Sequence, residues 1–169
     1  MKYTEQISEL KENEVFVFGS NLSGFHGAGS AGFAMRGTSR NTWRDDAAFL
    51  DIVHGRTADR RGLWAVFGVG RGYQVGRTGR SYAIATVERP GRQGCVTLEH
   101  LRDQLLDFIR FAKSNPTMEF LVVKLGATRN EGGFSYFGIK TVAELWSGIH
   151  RDVGIPTNVV LPFVHDPRV

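Results

Sequence analysis

Residues Val15–Gly37, VFVFGSNLSGFHGAGSAGFAMRG, carry an apolar run directly into a loop rich in Gly, Ser and Asn. The run from Glu14 to Gly19 has the β-branched and aromatic residues typical of a short buried strand. The segment GSAGFAMRG, which starts at Gly29, is consistent with the opening of a helix. A strand, a glycine-rich loop and a helix in this order are typical of an α/β fold.

Further apolar segments have the length and composition of strands, and these are Leu63–Gly68, Ser81–Val87, Glu119–Gly126 and Asn158–Pro162. The second and third of them are continuous apolar runs, which are typical of strands buried on both faces of a sheet. We therefore predict that Val15–Gly19, Tyr82–Val87 and Leu121–Leu125 are neighbouring strands of one sheet.

Two segments between these strands have the apolar periodicity of amphipathic helices. In Thr97–Asn115 the apolar residues share one face, Thr97 can cap the first turn, and Pro116 follows the last one. Gly138–His150 repeats the pattern. In Asn41–Gly62 the apolar residues suit a short helix and the Arg-rich end suits a loop. Alternation of strands and helices predicts a mixed, mainly parallel sheet covered on both faces.

Length and composition fit a single domain over residues 1–169, since 41% of the residues are hydrophobic. No apolar run is long enough to span a bilayer, so we expect no membrane partner. The single cysteine, Cys95, cannot form an internal disulfide, which favours a cytoplasmic location. The histidines show no metal-ligand spacing, and we predict neither a metal site nor a cofactor.

The net charge of +4 comes with arginines beside glycines, as at Arg71, Arg77 and Arg80. Such residues can hold phosphate groups, and they are equally consistent with solvated loop charge. A basic helix face or a row of aromatic residues along a groove would favour extended nucleic acid, and neither pattern is present. The sequence therefore favours a small phosphorylated ligand over extended nucleic acid.

Glycine-rich loops follow two of the predicted strands, where ligands of parallel α/β folds bind. SNLSGFHGAGSAG begins at Ser20, and ATRNEGGFSYFG begins at Ala127. Glycine lets backbone N–H groups approach phosphate oxygens, and a following helix adds its positive end. Neither a Walker motif nor a dinucleotide fingerprint is present. These patterns leave phosphate binding and a plain α/β scaffold equally open.

Three segments, FVFGSNLSGFHGAGSA, GRTGRSYAIAT and FLVVKLGATRNEGGFS, resemble a small macrodomain-like family of bacteria and phages. The resemblance implies a three-layer α/β/α fold with a cleft for ADP-ribose or a related nucleotide. It implies ligand contacts from Gly19, Ser20, Asn21, Gly27, Ala28, Gly29 and Ser30, and across the cleft from Gly126, Ala127, Thr128, Arg129, Asn130, Gly132, Gly133 and Phe134. Ala85 stands where that family tends to have proline, and the second loop is more polar than in macrodomains.

Asn21 and His26 are the candidate catalytic residues. If the protein is an enzyme, the resemblance implies hydrolysis at the ribose C1″ bond of an ADP-ribosyl adduct, with Asn21 orienting ribose or water. Asn21 is equally consistent with a left-handed turn after the strand. His26, flanked by Gly27, is expected to be an exposed acid or base, although a lone histidine is more often structural. A non-catalytic nucleotide sensor and a ligand-free interaction domain remain alternatives, and the sequence does not indicate the oligomeric state.

Overall fold

The computed structural model describes Thr4 and residues 7–88, 96–126 and 137–169. Within these residues the chain forms five strands and four α-helices. In chain order they are β1 (Glu14–Asn21), α1 (Gly29–Arg36), α2 (Ala47–Val53), β2 (Gly72–Val75), β3 (Arg80–Val87), α3 (Leu98–Ser114), β4 (Glu119–Val122), α4 (Ile139–Val153) and β5 (Val159–Val160). Two single 3₁₀ turns lie at Trp43–Asp45 and Phe163–His165.

The strands form one mixed sheet in the order β2-β3-β1-β4-β5. β1 pairs in parallel with β3 and β4, and β4 pairs in parallel with β5. β2 is the antiparallel edge strand beside β3. The predicted α/β class, the mainly parallel sheet and the three neighbouring strands are therefore confirmed.

Alternate residues of β1 point to opposite faces of the sheet, as the period of a strand requires. Val15 and Val17 lie in a core with residues of α3 and α4, among them Phe108 and Trp146. Phe16 and Phe18 lie in a second core with residues of α1, among them Ala31 and Ala34. Because both faces of β1 are covered by helices, the strand reads as a continuous apolar run.

The predicted amphipathic helices are confirmed. Thr97 is the N-cap of α3, and its hydroxyl oxygen accepts a hydrogen bond from the His100 N–H at 3.1 Å. The face of α3 predicted to be apolar supplies Leu101, Leu105 and Phe108 to the core. In the segment Asn41–Gly62, α2 contains most of the apolar residues, and Trp43 lies in the preceding 3₁₀ turn.

One predicted strand is wrong and one strand was not predicted. Residues 63–68 form no strand, because the N–H groups of Leu63 and Trp64 donate to carbonyls of α1, at 3.0 and 2.8 Å. The N–H groups of Leu63 and Trp64 therefore pair with the last turn of α1 and not with a neighbouring strand. β2 forms instead a few residues later, where the chain folds back against β3. β4 also ends at Val122, earlier than the predicted Gly126. None of the described helices combines the length and the apolar character needed to cross a membrane.

The buried face of α3 predicts how far truncation of its core residues lowers the free energy of unfolding. Phe108 is fully buried, whereas Leu98 on the same helix is about half exposed. We expect Phe108→Ala to lower the free energy of unfolding by about 3–5 kcal/mol, because it removes a large buried side chain and leaves a cavity. Leu98→Ala is the control and should change it by less than about 0.5 kcal/mol. Urea unfolding followed by circular dichroism measures both, and equal losses would contradict the packing of α3.

Candidate functional site

The carboxyl ends of the parallel strands bring together the beginnings of the two predicted ligand loops. A Cβ placed on Gly19 of β1 would lie 3.9 Å from the Leu125 side chain, which precedes Gly126. The carbonyl of Gly126 accepts hydrogen bonds from the N–H groups of Phe137 and Gly138, at 2.7 and 3.3 Å. The other predicted residues of that loop lie outside the described residues, and they are Ala127, Thr128, Arg129, Asn130, Gly132, Gly133 and Phe134.

Asn21 ends β1 and organises the first loop, defined here as residues 22–28. Its Oδ1 accepts hydrogen bonds from the Ser23 hydroxyl at 2.6 Å and from the Phe25 N–H at 3.2 Å. Asn21 is buried, and so is Ser20 before it. The left-handed interpretation of Asn21 is wrong, because among the described non-glycine residues only His26 has a positive φ. The amide oxygen of Asn21 is therefore used to shape the loop.

His26 is fully buried, so the expectation of an exposed acid or base at this position is wrong. Its Nε2 donates a hydrogen bond to the Val69 carbonyl at 2.8 Å, and its ring packs edge-on against Phe18. Burial lowers the pKa of His26 to about 4, against the opposing effect of hydrogen bonds to Val69 and Val66. The hydrogen bond of His26 thus connects the first loop to the segment that contains Val69. Gly27, which follows His26, indicates close packing at this position and not a flexible backbone.

The two glycines of the first loop and Gly29 at the start of α1 serve different purposes. A Cβ on Gly24 would lie 2.4 Å from the backbone of Gly68 and Val69, and one on Gly27 would lie 2.7 Å from the Phe25 ring. These two positions exclude side chains because of packing within the protein. Gly29 has a φ of 63°, and a Cβ there would meet no atom within 4 Å. Among the three, Gly29 is the glycine that faces open space.

The start of α1 presents free backbone donors at this edge of the sheet. Ala28 is the N-cap and offers no capping side chain. The Gly29 N–H donates to the Ser39 carbonyl at 2.9 Å, and the Ser30 hydroxyl donates to the Gly19 carbonyl at 3.2 Å. In the described part of the chain, no hydrogen bond uses the N–H groups of Ser30 and Ala31. Unpaired N–H groups at a helix start favour an anion.

A cavity of about 410 Å³, here called the α1 cavity, lies beside this helix start. Its lining residues include aromatic, hydroxyl-bearing and guanidinium-bearing types, and they are Ile7, Phe16, Ser30, Phe33, Gly37, Thr38, Ser39, Arg40 and Val123. Ser30 is the residue that the predicted ligand loop shares with the cavity. Arg40 was missed by the sequence reasoning, and the only local signal is the polar run that follows Gly37.

Arg36 joins the first loop to the wall of the α1 cavity. Its Nη2 donates to the carbonyls of Gly27 and Arg40, at 2.9 and 3.0 Å. Its Nη1 lies 3.7 Å from the Asp46 carboxylate, and the guanidinium group lies over the Phe49 ring. The Arg36 side chain is almost completely buried. The buried Arg36 guanidinium group therefore connects the end of the first loop, at Gly27, to the segment that follows α1, at Arg40.

A second buried histidine lies at the other side of the sheet. Within the described ranges of the chain, neither ring nitrogen of His165 has a hydrogen-bond partner. Burial, followed by the nearby Lys124 charge, lowers the pKa of His165 to about 4. Among the described residues, no group of three His, Cys, Asp or Glu side chains lies close enough to bind a metal ion.

Comparisons with protein-family models, curated proteins and solved structures find no match. The macrodomain-like resemblance therefore rests on the sequence motifs alone.

The two buried histidines predict how stability depends on pH. Their pKa values in the folded protein, about 4, lie below the ordinary value of 6.5, so the unfolded chain binds more protons between these values. The contribution of the two neutral histidines to the free energy of unfolding is therefore fully present above about pH 6.5. It is lost as the pH falls toward 4, by up to about 1.4 kcal/mol per pH unit for His26.

Replacement of His26 tests its share of this dependence. His26→Asn keeps a residue that tolerates the left-handed backbone and removes the titrating ring. We expect a smaller slope of unfolding free energy between pH 6.5 and 4, measured by urea unfolding. The exposed His54 provides the control variant His54→Asn, which should keep the wild-type slope. A wild-type slope in His26→Asn would contradict the burial of His26 as a neutral ring.

Proposed function

We propose that the protein binds a nucleotide of the ADP-ribose class at the start of α1, with part of the ligand in the α1 cavity. One observation carries the proposal: Ser30 of the first helical turn lines the same cavity as Arg40. Ser30, whose backbone N–H has no partner among the described residues, thus lines the same space as Thr38, which carries a hydroxyl group, and Arg40, which carries a guanidinium group. These are donors that recognise phosphate oxygens.

The cavity also suits the non-phosphate part of such a ligand. Its volume of about 410 Å³ falls in the range of small-molecule sites. Phe16 and Phe33 provide apolar walls that can contact a planar base or a sugar face. Thr38 and Ser39 supply polar groups at the same wall. A nucleotide combines an anion with a planar apolar ring and therefore matches both parts of the site.

The fold is compatible with the three-layer, macrodomain-like arrangement that the motifs suggest. α1 packs on one face of the sheet, while α3 and α4 pack on the other. The ligand loop follows the central strand β1, at the edge where ligands of such sheets bind. We propose this arrangement as the scaffold of the nucleotide site.

Binding is better supported than hydrolysis. His26 is buried behind the first loop, and the amide oxygen of Asn21 is used within that loop. We propose that Asn21 contacts the distal ribose through its Nδ2 and positions the ligand without a histidine acid or base. The protein then acts as a sensor or a sequestering protein for a small nucleotide in the cytoplasm.

Gly29 tests the proposal, because a matched glycine lies elsewhere in the chain. Gly29 and Gly55 have φ values of 63° and 68°, and a Cβ on either would meet no atom within 4 Å. Gly29→Val and Gly55→Val should therefore have similar backbone strain, of about 1–2 kcal/mol. We expect Gly29→Val to abolish the ADP-ribose affinity measured by calorimetry, because its side chain covers the N–H groups at the start of α1.

Gly55→Val should keep the affinity of the wild-type protein, since Gly55 lies outside the α1 cavity. Melting curves of both variants without ligand show whether the two folds are equally preserved. Unchanged ADP-ribose binding by Gly29→Val would overturn the proposed site. Failure of the wild-type protein to bind ADP-ribose, ADP or AMP would overturn the proposed function itself.

A further inference from the structure

A second cavity lies on the face of the sheet that α3 covers. It has a volume of about 160 Å³ and is lined by Arg71, Gly72, Tyr82, Ala83, Gln104 and Asp107. Tyr82 belongs to the core of α3 and α4, whereas Phe16 of the α1 cavity belongs to the core on the opposite face. The two cavities share no lining residue, so this second cavity is independent of the proposed nucleotide site.

The second cavity forms where β2 begins and its pairing with β3 stops. β2 pairs with β3 from Val75 to Gly72, which lies opposite Ala83. Beyond that point β3 forms hydrogen bonds with the Gln104 side chain and not with a strand. The Oε1 of Gln104 accepts a hydrogen bond from the Ala85 N–H at 2.7 Å. Its Nε2 donates to the Ala85 carbonyl at 2.8 Å. Because the amide of Gln104 bonds both backbone groups of Ala85, it holds the cavity wall in place.

Two opposite charges line this small cavity. Arg71 and Asp107 are lining residues of opposite charge, and both are exposed. Asp107 forms an ion pair with Arg110 at 2.8 Å, and both side chains of that pair are more than half exposed. An exposed pair of this kind contributes little free energy and leaves the carboxylate able to accept another cation.

Both charges affect the pKa of Tyr82. Burial, followed by the Asp107 carboxylate, raises the pKa of Tyr82 to about 12, while Arg71 acts in the opposite direction. The phenol therefore keeps its proton at neutral pH and can donate a hydrogen bond. The cavity thus combines a cation, an anion and a hydroxyl donor.

We propose that this second cavity binds a small zwitterion of the α-amino acid class. The ligand carboxylate pairs with Arg71 and accepts from the Tyr82 hydroxyl, while its ammonium group pairs with Asp107. A cavity of about 150 Å³ can hold benzene, which has six non-hydrogen atoms. A volume of about 160 Å³ accordingly suits a ligand the size of alanine or serine.

Three ligands that match in shape test the proposal. L-alanine carries both charges, whereas propionate lacks the ammonium group and ethylammonium lacks the carboxylate. We expect calorimetry on the full chain to show L-alanine binding at least about tenfold more tightly than either singly charged analogue, because each ligand charge has its own partner. Equal affinity for propionate and L-alanine would overturn the zwitterion assignment. Absence of heat with L-alanine at about 50 mM would overturn the site.

Variants of the two charged residues locate the binding. Arg71→Gln and Asp107→Asn should each weaken L-alanine binding by about tenfold or more. Arg110→Gln is the matched control, because Arg110 pairs with Asp107 but does not line the cavity. It should keep wild-type affinity, and melting curves should show that all three variants fold. Wild-type affinity in both Arg71→Gln and Asp107→Asn would contradict the proposal, and ADP-ribose binding should be unchanged in all three.

Discussion

The burial of β1 on both faces is the constraint on which the rest of the structure depends. Val15 and Val17 pack against the α3 and α4 side, and Phe16 and Phe18 pack against the α1 side. Both edges of the strand are also paired in parallel, with β3 and β4. A strand so enclosed fixes the direction of its neighbours, and their carboxyl ends therefore meet at one edge. That edge is where the first loop, the start of α1 and the α1 cavity lie.

The glycine-rich segment after β1 has two parts with different physical roles. In its first part Asn21 and His26 form hydrogen bonds within the protein, and Gly24 allows two backbones to approach closely. In its second part Gly29 faces open space and Ser30 lines the α1 cavity. Packing of the first part holds the second part in position. A loop of this composition is thus both a structural anchor and a candidate binding surface.

Local patterns in the sequence predict much of the fold, because β1 and β3 are continuous apolar runs and α3 carries its apolar residues at helical spacing. The segment 63–68 was predicted incorrectly because the N–H groups of Leu63 and Trp64 donate to carbonyls of α1, which no local pattern indicates. The burial of His26 likewise depends on Val69, which is distant in sequence. The first-loop residues at the sheet edge were predicted from strand order, whereas Arg40 and the bridging Arg36 depend on tertiary contacts alone.

We propose that the start of α1 receives the anionic part of a nucleotide. The most direct measurement is a titration of the isotopically labelled protein with ADP-ribose, followed by backbone amide NMR. We expect the largest shifts at the N–H groups of Ser30 and Ala31, which lie in the first turn of α1, and smaller shifts around Arg40, which lines the α1 cavity. Shifts confined to other parts of the chain, or no shifts at saturating ADP-ribose, would contradict it.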